Sequence, residues 1–145
     1  MKLYNYFRSS ASFRVRIALH LKGLAYDYLP IHLAKGEQRQ PAFAAVTAEG
    51  LVPVLQTDDE HRLTQSMAII EYLDETYPEP KLVGRATADR IEARRLAAWF
   101  DRKFYEEVTV NLAGEKLNRR LLAGEAPDSR ALKAGRENIR THLHY

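Results

Sequence analysis

Three serines, Ser9, Ser10 and Ser12, stand between an alternating aromatic segment and an amphipathic one. Serine hydroxyls accept from the free amides at a helix start, so Tyr6-Phe7-Arg8-Ser9-Ser10-Ala11-Ser12-Phe13-Arg14 reads as a strand-to-helix junction. Such a junction gathers unpaired N–H groups and about half a unit of positive charge. It stabilises an anion, a thiolate included. A hydroxyl aimed at the same point adds one donor. The chain has no cysteine, so a thiolate held there belongs to a ligand, whose thiol would ionise below its ordinary value near about 8.5. Taken singly, each serine is also explained by capping alone.

Two further pairs could meet a ligand. Val52-Pro53 sits inside a strand-like run, where proline argues against a central paired strand unless the chain turns there or the peptide is cis. With a cis bond, Val52 would turn its N–H and carbonyl outward, ready to pair with an extended peptide as a strand does. An ordinary edge proline is the plainer account. Gln65-Ser66 opens an amphipathic run, and Ser66 is expected to cap that helix. The same helix start, with Gln65 beside it, can hold a carboxylate.

The elements that would position these groups follow from periodicity. Residues 2–7 alternate and read as a strand. The next run, FRVRIALHLKG, has Val15 with Leu19 and Ile17 with Leu21 at helical spacing, and stops at Gly23. Residues 26–31 read as a second strand, with Pro30 demanding an edge or a bulge. Residues 37–46 read as a short, weak helix. Residues 52–56 and 61–63 read as strands around the acidic turn Asp58-Asp59-Glu60, and SMAIIEYLDETY as a helix ended by Pro78 and Pro80. The order is βαβα then ββα, a thioredoxin-like pattern of a small mixed sheet with helices packed on it.

Beyond residue 85 the pattern is helix only. Thr87 suits a cap and Asp89 a first turn. Leu96, Phe100, Phe104, Val108 and Leu112 recur every four residues, which predicts one helix reaching about Leu122 with a bend near Gly114. After the turn GEAPDS, Asp128 or Ser129 caps another helix with Leu132, Ile139 and Leu143 on one face. Two apolar stripes need more partners than these helices supply. The expected organisation is α+β/α: residues 1–83 a thioredoxin-like domain, and residues 86–145 part of an all-helical domain cut short.

Composition excludes several classes. At 46% hydrophobic and 28% charged, the 145 residues fit an ordinary globular protein. No apolar run is long enough for a membrane span and no secretory signal opens the chain, so a cytoplasmic location is expected. The five histidines, His20, His32, His61, His142 and His144, make no metal-ligand spacing. Residues 1–80 carry 8 basic and 10 acidic residues, whereas residues 81–145 carry 14 and 9. In that basic part acids are interleaved at helical spacing, as in Arg90-Ile91-Glu92-Ala93-Arg94, so a solvated helix face accounts for the charge better than nucleic-acid binding.

The string from Tyr4 through Tyr6-Phe7-Arg8-Ser9-Ser10-Ala11-Ser12-Phe13-Arg14-Val15-Arg16 resembles the signature of zeta-class glutathione transferases, the class that includes maleylacetoacetate isomerases. Gly50-Leu51-Val52-Pro53-Val54-Leu55 and Gln65-Ser66-Met67-Ala68-Ile69-Ile70-Glu71-Tyr72-Leu73 follow the same family in order and spacing, and the likeness covers about residues 2–83. The resemblance implies a thioredoxin-like fold, glutathione as cofactor or substrate, a small electrophilic substrate and a homodimer. It implies catalytic roles for Ser9, which would hydrogen-bond the glutathione sulfur, and for its neighbour Ser10. It implies glutathione contacts from Ser9, Ser10, Ala11, Ser12, Arg14, Gln38, Val52, Pro53, Gln65 and Ser66. Ala11 departs from the family, which often has cysteine there; thiolate stabilisation by Ser9 does not depend on it. The helical part is less close to that class. Its Trp99-Phe100-Asp101-x-Lys103-Phe104 and Glu115-Lys116 resemble bacterial transferase-like proteins that include an FtsZ-binding division factor. Two functions are therefore expected to compete: a glutathione-dependent isomerase or transferase, and a non-catalytic module of the same fold that binds a protein.

Overall fold

Alternation at the N-terminus produces a short strand, β1 (Lys2–Asn5), whose Leu3 and Asn5 point inward and are fully buried. The computed structural model describes residues 1–106, 108, 114–115, 124 and 126–143. The chain divides into two compact units, Met1–Val83 and Gly84–Tyr145.

In the first unit β1 is followed by α1 (Ser10–Leu21), β2 (Asp27–Pro30), two single 3₁₀ turns at Leu33–Lys35 and Glu37–Arg39, α2 (Pro41–Ala44), β3 (Val54–Gln56), β4 (Arg62–Leu63) and α3 (Ser66–Thr76). The strands form one mixed sheet in the order β2-β1-β3-β4. β1 runs parallel to β2 and antiparallel to β3, which in turn pairs antiparallel with β4. This is the thioredoxin-like arrangement expected from the element order. Pro30 closes β2, which is an edge strand, where a missing N–H is tolerated. The expected helix over 37–46 is two pieces, because Pro41 cannot donate to a preceding turn and starts α2 instead.

The core is Leu3, Leu55, Val15, Ala18, Leu19, Ile69 and Leu73, where the sheet meets α1 and α3. Burial of each large aliphatic side chain favours folding by about 1.5–3 kcal/mol. Of the two apolar rows on α1, only Val15 and Leu19 face this core; Ile17 and Leu21 are exposed, with Phe13 on the same row. α1 ends in a Schellman motif. Gly23, at φ 64°, donates to the His20 carbonyl, and Leu24 donates to that of Leu19.

Two polar clamps hold this unit. Lys22 and Asp74 form an ion pair at 2.9 Å with both side chains fully buried. Lys22 Nζ also donates to the Tyr77 carbonyl at 2.6 Å and the Pro80 carbonyl at 2.9 Å. Asp74 accepts from the amides of Leu82 at 2.8 Å and Val83 at 3.3 Å, and Lys81 approaches its second oxygen at 3.5 Å. Burial alone would raise the Asp74 carboxyl. The Leu82 amide, the Lys22 ammonium and the Val83 amide outweigh it and hold the group below its ordinary value. The second clamp is Arg16. It donates to Asn5 Oδ1 at 2.9 Å and to the carbonyls of Tyr6 at 3.4 Å and Phe7 at 3.2 Å, so the helix grips the loop that leads into it.

The second unit contains α4 (Thr87–Trp99), a π-helical turn at Phe100–Phe104 and α5 (Ser129–Leu143). Ala86, not Thr87, is the residue ahead of α4, and Asp89 accepts from the Ala86 amide at 3.3 Å, which supplies the cap from inside the helix. The expected four-residue stripe breaks at Phe100. There Tyr105 donates to the Phe100 carbonyl across a wider loop, which shifts the register by a residue. Trp99, Phe100 and Phe104 stack at that turn, with ring centroids 4.9 to 6.4 Å apart. Asp128 caps α5 by accepting from the Arg130 amide at 2.8 Å. Leu112, Leu122 and the Leu143 side chain lie outside what the structure describes.

Removing one partner of the buried pair should be costly. Asp74→Ala is expected to lose about 3–5 kcal/mol in urea unfolding, and the apolar pair Lys22→Met with Asp74→Leu to recover most of that loss. The depressed Asp74 carboxyl contributes stability above its unfolded value near about 3.9, and that contribution disappears as pH falls through the lower folded value. Acid should therefore reduce the unfolding midpoint of the wild type more steeply than that of the apolar pair. Arg16→Ala should cost about 1–3 kcal/mol and speed amide hydrogen exchange at residues 6–9, leaving α3 unchanged.

Candidate functional site

The strand registers bring the three motifs to one end of the sheet, where β1 finishes and β3 begins. Tyr4 stands opposite Val54 and Leu55 opposite Leu63. Continuing both ladders outward sets Pro53 between the end of β1 and Gln65. The starts of α1 and α3 lie at that same end, because each follows directly on a strand that ends there.

Ser9 is the N-cap of α1. Its backbone is extended, its Oγ accepts from the Ser12 amide at 3.1 Å, and its own amide donates to the Tyr6 carbonyl at 3.0 Å. Acceptance leaves the hydroxyl hydrogen available for donation, so capping and binding are compatible uses of this one side chain. Ser9 is half-buried, Ser10 exposed and Ala11 half-buried. Among the described residues the Ser10 and Ala11 amides, the first two of the helix, have no acceptor, as expected for a helix start. Three donors, the Ser9 hydroxyl and these two amides, thus remain at the positive end of α1.

Ser12 is fully buried and its Oγ accepts from the Tyr6 amide at 3.5 Å, so it braces the β1–α1 loop. Arg14 is half-buried in the second turn of α1 and is already engaged within the chain.

The Val52-Pro53 bond is cis. Pro53 is buried and Val52 half-buried, and β3 begins only at Val54. Among the described residues no backbone group takes the Val52 N–H or carbonyl. The loop reaches back to Gln38: a Cβ on Gly50, which has φ 61°, would lie 3.3 Å from the Gln38 carbonyl. Gln38 is half-buried and its side-chain Oε1 is enclosed without a partner among the described residues.

Ser66 does not cap α3 as expected. It is the first residue of α3, buried, and makes no cap; the cap position is Gln65, with the unusual φ of 64°. A serine at the first helical position cannot fold back onto the amides two or three residues on as an N-cap does, so the α3 amides keep their donors for another acceptor. Gln65 is exposed, and its Nε2 donates to Glu49 at 3.0 Å. Glu49 and Arg16 are the residues that motif reading passed over. Their signal is tertiary, since each acts on a segment distant from its own.

Among the described residues no group of three or more histidine, aspartate or glutamate side chains could hold a metal ion. No described helix is long and apolar enough to cross a membrane.

Residues 1–75 match the family described as glutathione S-transferase, N-terminal domain. The maleylacetoacetate isomerase of Pseudomonas aeruginosa is 53% identical over 100 residues, 68% of this chain and 47% of that protein. The FtsZ-localized protein A of Caulobacter vibrioides is 40% identical over 146 residues, 99% of this chain and 63% of that protein. A crystal structure of a glutathione S-transferase from Rhodospirillum rubrum F11 superposes with a TM-score of 0.83 at 48% identity, covering 99% of this chain and 64% of that one. The chain therefore spans roughly half to two thirds of the relatives it matches. A capped helix start beside a cis-proline loop on a thioredoxin-like sheet, and a family match across that whole region, identify the chain as a member of the glutathione S-transferase family.

Proposed function

We propose that this chain is the glutathione-binding part of a glutathione-dependent isomerase or transferase of the zeta type. One observation carries the reading: Ser9 caps α1 at the end of the sheet that also bears the Val52-Pro53 loop and the start of α3. Glutathione would lie along that end. Its sulfur would meet the Ser9 hydroxyl and the free amides of Ser10 and Ala11. Its backbone would pair with Val52 as a short strand, and its γ-glutamyl carboxylate would meet Ser66 and the α3 amides. Gln38, which borders the Val52-Pro53 loop, would stand near the other end of the peptide.

Ser9 acts as a hydrogen-bond donor and forms no covalent bond. It favours the thiolate because donors and helix charge stabilise the ionised sulfur more than the thiol. In the isomerase reaction the thiolate adds to a cis double bond conjugated to a carbonyl. The new single bond rotates, and elimination of the thiolate restores the double bond in trans geometry. In a transfer reaction the sulfur stays on the electrophile. The maleylacetoacetate isomerase likeness favours the first for a substrate of that kind. The family pattern further supports a homodimer.

A second reading has its own observation. The likeness to FtsZ-localized protein A runs through the helical part, over 99% of the chain, as does that to the Rhodospirillum rubrum transferase. A protein-binding module that keeps the transferase fold is compatible with that likeness.

Titration of the chain with glutathione, followed by thiolate absorbance, tests the first reading; no binding at millimolar glutathione rejects it. Ser9→Ala should reduce bound thiolate about tenfold or more, and lower stability by about 1 kcal/mol through the lost cap. Ser9→Asp keeps a capping acceptor but sets a negative charge beside the sulfur. It should therefore melt like the wild type and still fail to form thiolate. Retained thiolate in Ser9→Asp would show that Ser9 does not contact the sulfur. Co-sedimentation with FtsZ polymers tests the second reading.

A further inference from the structure

The Gln65 side chain is held by a residue outside all three motifs. Gln65 Nε2 donates to Glu49 Oε2 at 3.0 Å, and the Thr64 hydroxyl donates to Glu49 Oε1 at 2.9 Å. Glu49 thus joins the loop before Pro53 to the loop before α3, 16 residues away from Gln65. A carboxylate only accepts hydrogen bonds, so the Gln65 amide has to give it the NH₂ group. That orientation leaves the Gln65 carbonyl oxygen, unengaged among the described hydrogen bonds, available to a ligand. It is an acceptor, and a full negative charge stands behind it. One residue on, the start of α3 offers free amides and a partial positive charge. An acceptor backed by an anion and donors backed by a helix dipole therefore lie side by side. That pattern fits an ammonium and a carboxylate on a single carbon, the head of an α-amino acid.

We infer that Glu49 is a positioning residue that turns the Gln65 carbonyl toward the ammonium of such a head, and that its charge makes this end of the site select a zwitterion over a plain carboxylate. The inference rests on the glutathione reading, whose γ-glutamyl end carries that head. Gln65 has no other means of fixing its amide among the described hydrogen bonds, and its backbone sits at a φ that non-glycine residues seldom adopt unless tertiary contacts impose it. Glu49 and Gln65 are both exposed, so the selectivity is modest in size.

The test is isothermal calorimetry of the whole chain with two ligands: glutathione, and the analogue in which glutaryl replaces γ-glutamyl and the ammonium is absent. The wild type should prefer glutathione. Glu49→Gln keeps the size, removes the charge and lets the Gln65 amide turn over. It should weaken glutathione by about three- to fivefold and leave the glutaryl analogue unchanged, which erases the preference. Glu49→Ala should show the same pattern. Equal losses for both ligands in either variant would mean that Glu49 only braces two loops, and would overturn the inference. A wild type that binds both ligands equally would overturn it as well, with the glutathione reading intact. A wild type that binds neither ligand overturns that reading and this inference together.

Discussion

A lysine and an aspartate, both removed from water, tie together the two helices on which the site depends. Taking either charge into the protein interior costs several kcal/mol, and only near-complete hydrogen bonding offsets it. Here the requirement is met. Lys22 Nζ reaches the Asp74 carboxylate and two carbonyls, and Asp74 also takes two backbone amides and stands near Lys81. The pair lies just past the last residue of α1 and near the last turn of α3. Their C-terminal ends are thereby locked to each other and to residues 77–83.

This division of labour follows from how helices carry charge. The stable, fully bonded polar network occupies the ends where carbonyls are unpaired and a cation is welcome. The opposite ends keep unpaired amides, which are poorly served by the protein and well served by an anion. Ser9 shows the compromise in one residue. Its oxygen accepts from the Ser12 amide, and its hydrogen remains for a ligand. Arg16 supports this arrangement from within α1 by gripping three acceptors in β1 and the loop after it.

Much of the candidate site's backbone structure was legible as sequence because its parts are local. A serine just before an amphipathic run is a cap, and Ser9 caps α1. Proline between strand-like valines signals a turn or a cis bond, and Val52-Pro53 is cis. Where local reasoning went wrong, neighbours in space had changed the outcome. Ser66 carries a capping side chain but lies one residue inside α3, because Gln65 takes the positive φ that ends the preceding loop. Ser12 belongs to the same serine cluster as Ser9, yet helix rotation turns it to the core and to the Tyr6 amide. The stripe through Phe100 and Phe104 is disturbed by a π turn that apolar spacing alone does not foretell.

The amino-acid order by itself determined the elements, the capped start of α1, the awkward proline and the absence of any thiol in the chain. Each of these depends on a few adjacent residues and on backbone sterics. Only the tertiary structure decided that Lys22 meets Asp74, that Arg16 grips the residues before Ser9, that Glu49 orients Gln65, and that three motifs spread over about 58 residues share one end of the sheet. Those outcomes depend on strand register and helix packing, which bring together groups that no sequence window contains.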